Sequence, residues 1–121
     1  MPARLSLKRA YAKPDPDDGF RVLVDRLWPR GLRKSDAKID LWLREIAPSP
    51  ALRLWFGHKA DRWEVFQDRY RTELASNPAV ATLRGIDAAH VTLIYAAKDE
   101  AHNHALVLLD FLRGASSRRP A

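Results

Sequence analysis

Val91-Thr-Leu-Ile-Tyr-Ala-Ala-Lys-Asp-Glu-Ala-His-Asn103 passes from a continuous apolar run, Val91–Ala97, straight into a charged and polar cluster. A short apolar run rich in β-formers and bounded by polar residues predicts a strand buried on both faces, as at the centre of a parallel sheet. A second stretch, Arg21-Val-Leu-Val-Asp-Arg-Leu-Trp-Pro-Arg-Gly31, repeats the pattern. It predicts a strand from Phe20 to Trp28, stopped by Pro29 and Gly31. In open α/β sheets ligands bind beyond the carboxyl ends of such strands. The two polar clusters therefore point to a site.

The flanking sequence sorts into elements around this pair. Arg4–Tyr11 alternates apolar and polar residues and predicts a half-buried edge strand. Lys13–Gly19, with two prolines and a glycine, is a loop. Ile39, Trp42, Leu43 and Ile46 share one face of a helix that Pro48 would end. Ser49-Pro50 opens a short helix closed by Gly57. Asp61-Arg-Trp-Glu64 has the form of a capping box, and Trp63, Phe66, Tyr70 and Leu74 form a stripe behind it. Asn77-Pro78 begins another short helix that ends near Gly85. The segment from Ala101 to Arg113 is apolar almost all round, so its helix must be largely buried. Strand, strand, helices, strand, helix is the order of a small layered α/β fold, with a central, mostly parallel sheet and helices packed on it. A single α/β domain over 1–114 is expected, followed by a flexible basic tail over 115–121.

The 121 residues suffice for one hydrophobic core, and 46% of them are apolar. There is no cysteine, which removes disulfides, thiolate chemistry and Cys-based zinc sites and fits a cytoplasmic protein. No apolar stretch has the length of a signal peptide or a membrane span, so no membrane partner is expected. The net charge of +6 is uneven: residues 1–35 carry nine Lys/Arg against four Asp, and residues 36–121 twelve against eleven. The excess gathers near Arg26, Arg30, Arg33 and Lys34, which favours an anionic partner.

Arg21–Gly31, Trp42–Ser49, Leu52–His58, Arg62–Phe66 with Arg69-Tyr70 and Glu73-Leu74, and Val91–Asn103 together resemble the YeaO-like family of small bacterial proteins, a domain of unknown function of the DUF488 type. The resemblance spans Arg21 to about Leu112. It implies a compact α/β domain and no established reaction. At position 104 the chain departs from the family's pattern, with His where Asn or Asp is expected, so His104 is not carried over as an essential group.

The candidate site residues follow from chemistry. Arg30, beyond the first strand, offers a fixed fork of donors to phosphate or carboxylate, and Arg26 precedes it. Lys98 and Asn103 flank the second strand end as further binding groups. Asp99 and His102 could move a proton, and Asp99 could equally cap the last helix. His58 reads as a cap or loop residue, and it could reach the site if the helical crossover folds back over the sheet. No metal site is expected: the Glu100, His102 and His104 spacings are chance-level, and no H-E-x-x-H occurs. No P-loop, G-x-G-x-x-G or G-x-S-x-G is present, and no cofactor is expected.

Three readings follow. The first is a small enzyme or binding protein for an anionic small molecule, in which Arg26, Arg30, Lys98 and Asn103 hold the ligand and His102 with Asp99 moves a proton. The second is a nucleic-acid-binding or regulatory module using the basic first third, although no helix-turn-helix pattern supplies a reading head. The third is an interaction domain whose strand-end charges only order loops. The oligomeric state is not readable, although an exposed edge strand near residues 4–11 could pair two subunits.

Overall fold

The computed structural model describes residues 4–114. Four strands form one sheet: β1 (Arg4–Arg9), β2 (Phe20–Leu23), β3 (Leu41–Trp42) and β4 (His90–Tyr95). Their order is β1-β4-β2-β3, and every neighbouring pair is parallel. The two apolar stretches form the central pair, with Val22 beside Leu93 and Leu23 beside Ile94. β1 lies at an edge, as its alternation predicts, with Leu5 beside Val91 and Leu7 beside Leu93. Among the described residues five α-helices complete the fold: α1 (Lys34–Ala37), α2 (Pro50–Phe56), α3 (Trp63–Ala75), α4 (Ala79–Arg84) and α5 (His104–Leu112). The expected tail over 115–121 lies outside the described residues.

The sheet buries its two faces differently. Val22, Val24, Val91, Leu93 and Tyr95 face the main core with Phe66, Tyr70 and Leu74 of α3 and Ala105, Val107, Leu108 and Leu112 of α5. Leu23 and Ile94 face a smaller core with Trp28, Leu32, Ile39 and Trp42. The rest of that second face is polar. There the strap of residues 12–19 docks through Asp18, whose carboxylate meets Arg21 Nη1 at 2.5 Å and Lys8 Nζ at 3.0 Å. Thr92 Oγ1 donates to Asp18 O at 2.6 Å, and His90 Nδ1 donates to Asp17 O at 2.5 Å. Gly19 lets the strap seat: its φ is +67°, and a Cβ there would stand 2.2 Å from His90 O.

Four sequence expectations are corrected. The helix expected through Ile39–Ile46 is a two-residue strand followed by a 3₁₀ turn, Arg44–Ile46. Its helical spacing is coincidental, because the apolar residues serve two faces: Ile39 and Trp42 join the smaller core, Leu43 and Ile46 the main one. Leu43 N donates to Leu23 O at 2.9 Å, so sheet pairing overrides local propensity. The second strand ends at Leu23 rather than Trp28, because the ladder hands over to a side chain. Val24 N still donates to Ile94 O at 3.0 Å, but Ala96 N then donates to Asp25 Oδ2 at 3.0 Å. Asp61 does not cap α3; it lies in a 3₁₀ turn over Ala60–Arg62 that leads into the helix. Finally, α5 starts at His104 rather than Ala101 and is capped by Asn103, while Asp99 closes the turn before it. The caps of α2 agree with the sequence: Ser49 Oγ accepts from Leu52 N, Pro50 opens the helix, and Gly57 ends it in the left-handed conformation.

Candidate functional site at the strand ends

Beyond the carboxyl ends of β2 and β4 lies a cleft of about 160 Å³. Asp25, Arg26 and Leu27 line it from the end of β2, and Ala97 from the end of β4. Ala47 and Pro48 come from the turn before α2, Arg53 and Phe56 from α2, His58 from just after it, Phe66 from α3, and Asn103 and His104 from the start of α5. A parallel pair brings both strand ends to one side, and α5 must start there to pack back along the sheet.

Arg26 is the central cation. Its Nη2 donates to Ala47 O at 3.3 Å and Pro48 O at 3.2 Å, which sets the guanidinium across the cleft wall. Its buried Nε has no hydrogen-bond partner, and no described residue takes Nη1. Arg53, also in the lining, is exposed and has no side-chain partner among the described residues. The one carboxylate of the lining is already engaged. Asp25 accepts from Ala96 N, and His104 Nε2 stands 3.2 Å from its Oδ1 and 3.0 Å from Val24 O. Both neighbours of Nε2 are acceptors, so Nε2 carries a proton, donates it to Val24 O and leans on Asp25. Two arginines against one occupied aspartate leave the lining electropositive.

Beneath the cleft the aromatic rings form a cluster. Phe56 and Phe66 stack with centroids 4.3 Å apart, Trp63 lies 5.7 Å from Phe66 and 5.9 Å from Phe56, and Tyr70 lies 5.9 Å from Phe66. Tyr70 hydroxyl donates to Ile46 O at 2.6 Å. Burial, with the nearby Glu73 and Asp25 carboxylates, raises its pKa well above the ordinary phenol value and keeps that hydroxyl a donor.

The sequence candidates divide. Arg26 and Asn103 reach the cleft. Asn103 is a positioning residue: its Oδ1 accepts from Leu106 N at 3.0 Å and its Nδ2 donates to Asp99 O at 2.9 Å, so both ends of the amide are employed. Asp99 and His102 pair with each other at 3.0 Å, and Asp99 Oδ1 also accepts from Ala101 N and His102 N. The Ala101 N–H, followed by the contacts with His102, holds the Asp99 carboxyl below its usual value. His102 rests edge-on against Trp63 at 5.3 Å. Neither residue lines the cleft. Arg30 and Lys98 are exposed and lie outside the lining. Arg30 sits in a loop pinned to the second face by Trp28, and its carbonyl accepts from Tyr11 hydroxyl at 2.8 Å. Asp25, Arg53, His58 and His104 are cleft residues that the sequence did not mark as site residues. His58 carried a conditional signal, its place in a crossover that could fold back over the sheet, and His104 carried one through its departure from the family pattern, which pointed away from function. Among the described residues no group of three or more His, Asp or Glu is placed to hold a metal ion.

Asn103 sets the entry of α5, so Asn103→Ala is expected to lower stability by about 1 kcal/mol, the usual cost of a lost N-cap. Urea denaturation followed by circular dichroism checks it.

Fold and cleft together define a small parallel-sheet α/β protein with an electropositive, aromatic-floored recess at its strand ends. The chain belongs to the DUF488 group: the family described as "Inactive DUF488-N3 subclade" matches residues 4–120. It is similar to an uncharacterized protein of Mycobacterium tuberculosis, 43% identical over 112 residues, covering 92% of this chain and 95% of that one. It is equally similar to the uncharacterized protein YeaO of Escherichia coli, 43% identical over 112 residues, covering 90% of this chain and 96% of the relative. No solved structure matches the chain significantly. No helix among the described residues is long and apolar enough to cross a membrane.

Proposed function

We propose that this protein binds an anionic small molecule, phosphate- or carboxylate-bearing, in the strand-end cleft, and that it binds without transforming it. The observation that carries the reading is Arg26: a guanidinium set across the cleft wall by two backbone carbonyls, with Nη1 left unoccupied. Arg53 adds a second cation, and Asp25 is partly engaged, its Oδ2 accepting from the Ala96 N–H and its Oδ1 standing 3.2 Å from His104 Nε2. An arginine held in this way is preorganised for an oxyanion, so little side-chain entropy is lost on binding. The description of the subclade as inactive favours binding over catalysis. In this reading Arg30 and Lys98 add long-range attraction from outside the cleft. Asp99, His102 and Asn103 hold the loop and helix that carry His104. The absence of cysteine supports a cytoplasmic setting.

The test is a titration of the full chain with acetate and with inorganic phosphate, followed by backbone amide shifts. Saturable movement of the Arg26, Leu27 and His104 resonances is expected, and Arg26→Met, which keeps the stem, is expected to weaken it at least tenfold. Shifts that persist unchanged in Arg26→Met, or that track a duplex or single-stranded oligonucleotide instead, would overturn the reading.

A further inference from the structure

The geometry points to a monocyclic aromatic carboxylate as the ligand class of this cleft, with its ring on the apolar lining and its carboxylate on Arg26. The inference rests on the anion-binding reading above and adds the body of the ligand to it. Three observations carry it.

The first is size. The cleft encloses about 160 Å³. A cavity of about 150 Å³ in another protein accepts benzene, whereas pockets for drug-sized molecules run from about 300 Å³ upward. One six-membered ring matches this space.

The second is the lining. Leu27, Ala47, Pro48, Phe56, Phe66 and Ala97 present carbon to the interior. Phe56 and Phe66 stack on each other at 4.3 Å, so no slot opens between them. Both are core side chains, 5% and 2% exposed, and they offer the recess narrow aromatic edges against which a ligand ring can lie edge-on, one of the arrangements that aromatic pairs prefer.

The third is charge. Arg26 and Arg53 against the engaged Asp25 leave one positive charge in excess, which matches a monoanion. A carboxylate accepts from the in-plane Nη1 edge of the Arg26 guanidinium, which is unoccupied, and Arg53 in the lining adds a second cation.

The experiment measures affinities of benzoate, acetate, inorganic phosphate and benzyl alcohol for the full chain by amide-shift titration. It compares the wild type with Arg26→Met and with Ala97→Leu, which fills the recess. Benzoate is expected to bind at least tenfold more tightly than acetate and at least tenfold more tightly than benzyl alcohol. Ala97→Leu is expected to cut benzoate affinity at least tenfold while leaving acetate within about threefold. If acetate binds through Arg26 but benzoate binds no better, the ring assignment is overturned and the anion reading stands. If benzyl alcohol equals benzoate, the anion reading is overturned and an apolar recess remains. Benzoate affinity unchanged in both variants, or no binding of any of the four compounds, overturns both. Should Ala97→Leu fail to fold, the wild-type ranking of the four compounds decides alone.

Discussion

Asp18→Ala is expected to cost about 3–5 kcal/mol of folding stability, the loss seen when one partner of a buried ion pair is removed. Arg21 is almost completely buried, and its guanidinium meets Asp18 at 2.5 Å. Its other hydrogen bonds go to the carbonyls of Ala37 and Lys38, which carry no formal charge. Without Asp18 a cation is stranded under the strap, and Lys8 loses its partner as well. For a chain of this length the melting temperature should fall by about 10–20 °C. The wild type should show a related acid limb. Burial alone would raise the Asp18 carboxyl, but the Asp15 backbone N–H, Lys8 and Arg21 outweigh it and hold the pKa below 3.8. A folded pKa below the unfolded value means that the carboxylate contributes its full stability above about pH 4. That contribution fades as the pH falls through the folded pKa. The gap between wild type and Asp18→Ala should therefore be wide at pH 6 and shrink below pH 4. Thermal melts of the two proteins across that range measure it, and a gap independent of pH would refute the role given to Asp18.

Phe66→Ala is expected to be comparably damaging, at about 3–5 kcal/mol, because a buried ring is replaced by a cavity. Phe66 is 2% exposed and touches the rings of Phe56, Trp63 and Tyr70. The loss should appear as a lower urea midpoint with an unchanged slope. Since Phe66 also lines the cleft, the space it vacates joins the recess. If the variant still folds, it should prefer a bulkier ring, such as that of a naphthoate, over benzoate. A loss below about 1 kcal/mol would show that the aromatic cluster is not part of the packed core.

The central strands were legible because burial on both faces forces an apolar run, and that composition survives any tertiary arrangement. The edge position of β1 and the caps of α2 were legible for similar local reasons. β3 was not: Leu41 and Trp42 pair with Val22 and Leu23 because those strands offer an open edge there. Their spacing alone looks helical. The site was half legible. Arg26 and Asn103 were marked by their place after the strands, and both line the cleft. Arg30 and Lys98 were marked by the same logic and lie outside it: the chain bends after Asp25 and carries Arg30 with its loop to the second face, and Lys98 is exposed beyond β4.

By itself the sequence determined a parallel β–helix–β arrangement and the presence of polar clusters at two strand ends. Both follow from hydrophobic patterning, which records how much of each residue is buried. Only the tertiary structure decided which of those polar groups share one cleft. Patterning does not record direction: Asp25, Arg26 and His104 meet because the Ala96 N–H, the carbonyls of Val24, Ala47 and Pro48, and the Asn103 cap turn them toward each other.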